Sequence, residues 1–209
     1  MLRWTAILSE VVTAIEVERV FRDAGAFQEG HFVLSSGKHS SRYLEKFQVL
    51  QWPARTERLC GDIAAWARTL APDTVAGPTT GGIILAHEVA RQLDARAVYA
   101  ERAEDGSGGR EFRRGFRLGA GERVLVVDDV MTTGGSVQET IDAVARSGAS
   151  VVGAAVLVDR SGGQARLRVP LHALWTLDIP TYDAAVCPLC AKGVPVTKPG
   201  TTPAPVARV

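Results

Sequence analysis

Apolar positions recur along this chain in two rhythms, one helical and one suited to buried strands. Residues 5 to 24 space Ile7, Leu8, Val11, Val12, Ile15 and Val20 about a helical turn apart, with Gly25 following as a stop, which predicts an N-terminal helix. F-V-L at 32 to 34 and R-Y-L-E-K-F at 42 to 47 flank S-S-G-K-H-S-S, where Gly37 suits a tight loop, so a short antiparallel pair is predicted. Pro53 opens a helix reaching about Leu70. Beyond it, strands over 74–77, 97–100, 124–127 and 151–158 alternate with helices over 83–93 and 136–146, the last ended by Gly148. This order predicts an α/β fold: a central, mostly parallel sheet flanked by helices and joined by right-handed crossovers. Three regions result: residues 1–50 with the N-terminal helix and a small subdomain, a core over 51–192, and a tail over 193–209. The tail contains Pro195, Pro199, Pro203 and Pro205 and is expected to be poorly ordered.

With 209 residues and 46% apolar composition, the chain is large enough to bury one sizeable core. A formal net charge of +1 argues against a nucleic-acid groove or a polybasic membrane patch. No stretch approaches the roughly 20 apolar residues of a membrane span, and the first residues lack a secretory pattern, so a cytoplasmic protein is expected. The three cysteines, Cys60, Cys187 and Cys190, form no disulfide framework.

Ligands of such sheets bind outside the carboxyl ends of the strands. Two of these ends carry similar loops, G-P-T-T-G-G at 77–82 and D-D-V-M-T-T-G-G-S at 128–136. Threonine hydroxyls, glycines that admit close approach and the N–H groups of a following helix make a phosphate cradle, so two cradles imply two phosphate groups. The G-K-[ST] ending of a nucleotide loop is absent, and no G-x-G-x-x-G follows a strand. Glycines in either loop alone are equally consistent with plain turns. The adjacent Asp128 and Asp129 shift the balance, because paired acceptors suit the vicinal hydroxyls of a ribose or a magnesium ion.

The stretch R-V-L-V-V-D-D-V-M-T-T-G-G-S at 123–136 resembles the phosphoribosyl pyrophosphate motif of type I phosphoribosyltransferases. G-H-F-V-L-S-S-G-K-H-S-S-R-Y-L at 30–44 resembles the base-binding hood of the orotate phosphoribosyltransferases. The order of G-P-T-T-G-G, R-R-G-F, V-D-R-S-G-G and C-P-L-C agrees with that family. The resemblance implies a type I phosphoribosyltransferase fold and a magnesium-dependent transfer of ribose 5-phosphate from phosphoribosyl pyrophosphate to orotate, a step of pyrimidine nucleotide synthesis. It also implies a homodimer with shared active sites, small-molecule substrates, and Mg²⁺ held mainly by substrate and water. Asp128 and Asp129 would face the ribose hydroxyls, and Val130, Met131, Thr132, Thr133, Gly134, Gly135 and Ser136 would hold the 5′-phosphate. Thr80 and Gly81 would bind pyrophosphate. Orotate would meet Thr132, Arg160, Tyr43 and Lys38, with Arg160 on its carboxylate. Leu44 departs from the aromatic that family members carry, and Ser35 from their frequent lysine.

The segment at 101–116 differs most, having no lysine or histidine where the family's mobile loop has several. Arg102, Arg110, Arg113 and Arg114 are its cations; Arg102 is the one carried over as catalytic, whereas the other three serve equally well as surface partners of Glu101, Glu104, Asp105 and Glu111. C-P-L-C at 187–190 has the spacing of half a zinc site, and one pair is insufficient alone, so a packed turn is expected; a site shared between two subunits is the alternative. His31, His39, His87 and His172 show no ligand spacing and read as polar or packing residues, His39 nearest the site. A purine phosphoribosyltransferase lacking the hood, or a regulator that senses phosphoribosyl pyrophosphate without catalysis, are the other readings of these motifs.

Overall fold

A computed structural model of the chain describes residues 12–34, 36–104 and 108–199. Helix α1 spans Ala14–Asp23; the first part of the expected N-terminal helix lies outside the described residues. Thr13 caps it, with a reciprocal bond from its own backbone to Glu16. Gly25, at φ 67°, ends it, since Gly25 N–H bonds to Arg22 O and Ala26 N–H to Phe21 O in a Schellman arrangement.

Strands β1 (Phe27–Val33) and β2 (His39–Leu44) pair antiparallel. Both are displaced from the predicted segments: β1 begins earlier, and Phe47 leaves the strand to open the short α2 (Phe47–Leu50). Helix α3 (Pro53–Ala67) starts at the predicted proline and finishes in a 3-10 turn to Leu70. Then follow β3 (Thr74–Pro78), α4 (Gly81–Leu93), β4 (Arg96–Arg102), β5 (Arg110–Phe112), β6 (Arg123–Met131), α5 (Gly135–Arg146) and β7 (Ser150–Asp159). The chain continues through β8 (Leu171–Thr176), β9 (Thr181–Tyr182) and the single-turn α6 (Pro188–Ala191).

The main sheet runs β5-β4-β3-β6-β7-β8, parallel throughout except for the antiparallel edge strand β5. Its central strands carry long apolar runs because both faces are covered, Asp128 and Asp129 being the exceptions in β6. Leu125, Val127, Ala155 and Leu157 pack on one side with Phe21, Leu59, Ile63, Leu85 and Val89, whereas Val124, Val126, Ala154 and Val156 pack on the other with Val137, Ile141 and Val144.

A second sheet, β1-β2-β9, forms the hood. Phe21 and Phe27 meet Trp175 of β8 with ring centroids 5.8 and 5.6 Å away, so an aromatic cluster anchors helix and hood to the core. Residues 193–199, expected to be poorly ordered, run beside β1: Thr197 N–H donates to His31 O at 2.8 Å and Val33 N–H to Thr197 O at 2.9 Å. Residues 200–209 lie outside the described residues. Among the described residues no helix is long and apolar enough to cross a membrane.

Candidate active site

The acid pair lies inside β6, not in the loop beyond it, since the strand continues four residues past the predicted end and pairs with β7 as far as Met131 and Asp159. Both aspartates are buried. Strand alternation sends successive side chains to opposite faces, and the contacts agree. Asp129 faces the hood and the 77–82 loop, with Lys46 Nζ at 3.4 Å from Oδ1. Asp128 lines a cavity of about 130 Å³ together with Val130, Met131, Thr132, Thr133, Gly134, Gly135, Ser136 and Val137. Each carboxylate also accepts a backbone N–H from the next residue, Asp128 from Asp129 at 2.8 Å and Asp129 from Val130 at 2.6 Å.

Burial, reinforced by the neighbouring Asp129 charge, pushes the Asp128 carboxyl up to about 7. Burial raises Asp129 as well, and the Lys46 ammonium is the main force opposing it. Such a pair gains from hydroxyl donors or a cation brought by a ligand.

The two glycine loops are built for close approach. Gly134, at φ 82°, turns β6 into α5. In the other loop, which contains a cis Thr79–Thr80 peptide bond, a Cβ on Gly81 would lie 1.6 Å from Asp129 Oδ2, so any side chain there displaces the carboxylate. Arg110 joins the loops from behind. It is buried, and its guanidinium donates to Thr79 Oγ1 at 3.3 Å, Ala100 O at 3.2 Å and Ser136 Oγ at 3.4 Å.

A larger cavity, about 650 Å³, opens beside the first and shares Thr132 and Thr133 with it. Its other walls include Tyr43 and Lys38 from the hood, Arg160 from the end of β7, and Lys198 and Pro199. Arg160 Nε is buried and, among the described residues, has no hydrogen-bond partner. Burial lowers its pKa, and arginine is a cation throughout the physiological range. Tyr43 sits 5.7 Å from the Phe32 ring and donates its hydroxyl to Glu45 at 3.3 Å, whereas Leu44 turns into the core. Lys38 lies 3.6 Å from Asp183.

Residues 48–173 match the phosphoribosyl transferase domain family. The chain belongs to the phosphoribosyltransferase family. An orotate phosphoribosyltransferase of Caldicellulosiruptor saccharolyticus is 49% identical over 183 residues, covering 88% of this chain and 94% of the relative. One from Thermotoga maritima is 44% identical over 185 residues, covering 88% and 97%. Among solved structures, the orotate phosphoribosyltransferase of Aeropyrum pernix is similar with a TM-score of 0.65 and 33% identity, over 77% of this chain and 93% of that one.

Within this phosphoribosyltransferase, the expected cations of the 101–116 segment separate. The segment is built on an antiparallel strand pair rather than a plain loop, since Arg102 pairs with Arg110 and Ala100 with Phe112 across β4 and β5; residues 105–107 lie outside the described residues. Arg113 pairs with Glu104 and Glu111, and Arg114 with Glu101 at 3.0 Å. Arg110 is committed to the two loops. Arg102 is exposed at the end of β4.

Lys46 and Arg110 thus stand closer to the acids and loops than sequence reasoning indicated. A lone lysine after a strand has no spacing signal; neither does an arginine whose partners come from β4 and two loops. C-P-L-C forms the turn that opens α6, with Cys187 buried, and His31 and His39 are buried polar residues of the hood; their grouping is what the sequence did not reveal. The structure brings all four side chains together at the hood. Their sequence separations, up to 159 residues, hide the grouping. His172 has a separate partner, Asp62 at 2.8 Å.

Proposed function

We propose that this chain is an orotate phosphoribosyltransferase, transferring ribose 5-phosphate from phosphoribosyl pyrophosphate to N1 of orotate with release of pyrophosphate in pyrimidine nucleotide synthesis. The observation that carries the choice of base is Arg160: a buried guanidinium with an unpartnered Nε on the wall of the larger cavity calls for a planar anion. Orotate carries such a carboxylate, and purine bases do not. Tyr43, its ring packed against Phe32, offers a face for a flat ring, with Lys38 and Thr132 on the same cavity wall.

The shared wall at Thr132 and Thr133 supports a continuous path from 5′-phosphate to base. The 132–136 loop and the start of α5 hold the phosphate, Asp128 and Asp129 accept from the ribose hydroxyls, and Thr80 and Gly81 bind the departing pyrophosphate. Bond breaking at the anomeric carbon builds positive charge on the ribose, which the buried carboxylates face, so catalysis is electrostatic and positional and uses no protein nucleophile. Asp128, the carboxylate that shares the cavity with the 132–136 loop, is a hard oxygen donor that fits Mg²⁺ arriving with phosphoribosyl pyrophosphate and held mainly by substrate and water. When bound, the ion neutralises charge on the pyrophosphate. Arg102 serves the pyrophosphate of a neighbouring subunit in a two-fold dimer, and the protein works in the cytoplasm.

The test is direct. Loss of orotate absorbance on adding phosphoribosyl pyrophosphate and Mg²⁺, with no reaction of adenine, guanine or hypoxanthine, is the expected result. Turnover of a purine instead of orotate overturns the reading.

A further inference from the structure

Where the hood meets the C-terminal segment, four side chains with metal-binding atoms converge. His31 comes from β1, His39 from β2, Cys187 from the residue before α6 and Cys190 from within it. One ligand atom from each lies within 4.8 Å of all the others. His31 Nε2 is 2.8 Å from His39 Nδ1, 3.5 Å from Cys187 Sγ and 3.7 Å from Cys190 Sγ, and Cys190 Sγ is 3.3 Å from His39 Nδ1. Around a tetrahedral zinc ion with ordinary bond lengths, nitrogen and sulfur ligands sit about 3.6 Å apart and two nitrogens about 3.3 Å. Three of the four nitrogen–sulfur separations, at 3.5, 3.7 and 3.3 Å, lie close to that value. The two nitrogens are closer and need to open by about 0.5 Å.

A second observation fixes the chemistry of the cluster. His31 Nδ1 lies 2.7 Å from Val194 O, and a carbonyl only accepts, so Nδ1 carries the proton. The lone pair of Nε2 therefore points into the cluster, as in a metal-bound imidazole held by a backbone carbonyl. Without a cation that single lone pair faces three potential donors, the His39 ring and two thiols. One positive ion engages all four groups.

Local structure explains the convergence. Pro188 opens α6 at its first position, and the spacing of Cys187 and Cys190 brings both sulfurs to one side of a single turn. His39 pairs with Val33, and His31 precedes Val33 by two, so the two imidazoles are diagonal neighbours on one face of the hairpin. Three of the residues are buried and Cys190 is exposed, leaving one edge open to solvent.

We propose that His31, His39, Cys187 and Cys190 bind one structural Zn²⁺ per chain, stapling the C-terminal segment to the hood. Two thiolates and two neutral imidazoles balance the charge of a divalent ion, and loading releases the two thiol protons. The stapled segment continues through Thr197, bonded to β1, to Lys198 and Pro199 on the wall of the larger cavity.

The experiment uses the untagged full chain, purified in reducing buffer after growth with zinc. Elemental analysis is expected to find about one zinc per chain, and Cys187→Ser and Cys190→Ser to lose it. Cobalt added to chelator-stripped protein is expected to give the intense visible bands and the sulfur charge-transfer absorption of a tetrahedral cysteine site. Stripping should lower the melting temperature and zinc should restore it. The cobalt titration needs only the wild-type chain, so it stands if the serine variants fail to fold. Wild-type protein with no stoichiometric zinc and no tetrahedral cobalt spectrum overturns the proposal, as does unchanged zinc content in the folded Cys190→Ser variant. These readouts are independent of which base the enzyme uses.

Discussion

The Lys46 ammonium lies 3.4 Å from the buried carboxylate of Asp129, joining the segment after the hood to the acid pair in β6. It is the main influence holding Asp129 down against burial. Lys46→Met should therefore raise the Asp129 pKa further and move the acid limb of the pH–activity profile to higher pH. An unmoved limb, measured as kcat/KM for phosphoribosyl pyrophosphate, would show that Asp129 ionisation does not govern that limb.

Asp128 makes stability depend on pH. Its folded pKa of about 7 lies above the ordinary aspartate value of 3.8, so between these values the folded chain holds a proton that the unfolded chain has released. The unliganded protein should lose stability as pH rises through that window. Asp128→Asn removes this residue's share of the slope, Asp129 keeping its own, and its melting temperature should exceed that of the wild type by more at about pH 8 than at about pH 5. A difference independent of pH would mean that Asp128 titrates normally.

Arg160→Ala should raise the KM for orotate much more than that for phosphoribosyl pyrophosphate. Arg160→Lys should recover little, because an ammonium cannot offer a carboxylate the planar fork of a guanidinium. Equal changes in both constants would remove Arg160 from the base site.

Gly81→Ala puts a methyl group where Asp129 Oδ2 now lies, only 1.6 Å from the ideal Cβ. The carboxylate must swing away, and turnover should fall at least ~10-fold, about 1.4 kcal/mol of transition-state stabilisation. Steady-state kinetics on the folded variant measures this. Full activity would show that Asp129 can move without loss.

Mixed dimers test the shared site. Asp129→Asn should reduce turnover at least ~10-fold, and an Arg102→Ala subunit should be similarly weak. Mixing the two should restore activity, because one site of each mixed dimer combines intact acids with an intact Arg102. Native mass spectrometry of tagged chains establishes exchange. Mixed dimers as inactive as their parents would assign Arg102 to its own subunit.

Local patterning made much of the fold legible. Pro53 opening α3, Gly25 ending α1, and the apolar runs of β3, β6 and β7 are readable because caps, stops and two-face burial act through neighbouring residues. Where the pattern is short or polar the reading failed. β5 and β8 carry no pattern of that kind: β5 is the three residues Arg110, Glu111 and Phe112, and its pairing with β4 sets the strand.

The sequence by itself determined the helix–strand alternation of α3-β3-α4-β4 and β6-α5-β7, the strand–loop–helix at 123–146 and the two glycine loops, since these depend on chemistry within a few residues. Only the tertiary structure decided that β6 carries its acids to opposite faces, that Arg110 sits buried beneath Thr79 and Ser136, and that Lys46 reaches Asp129. The same holds for His31 and His39 meeting two cysteines about 150 residues away. These groupings arise where separate elements pack, and a side chain records no partner in its own neighbourhood when that partner is delivered by the fold.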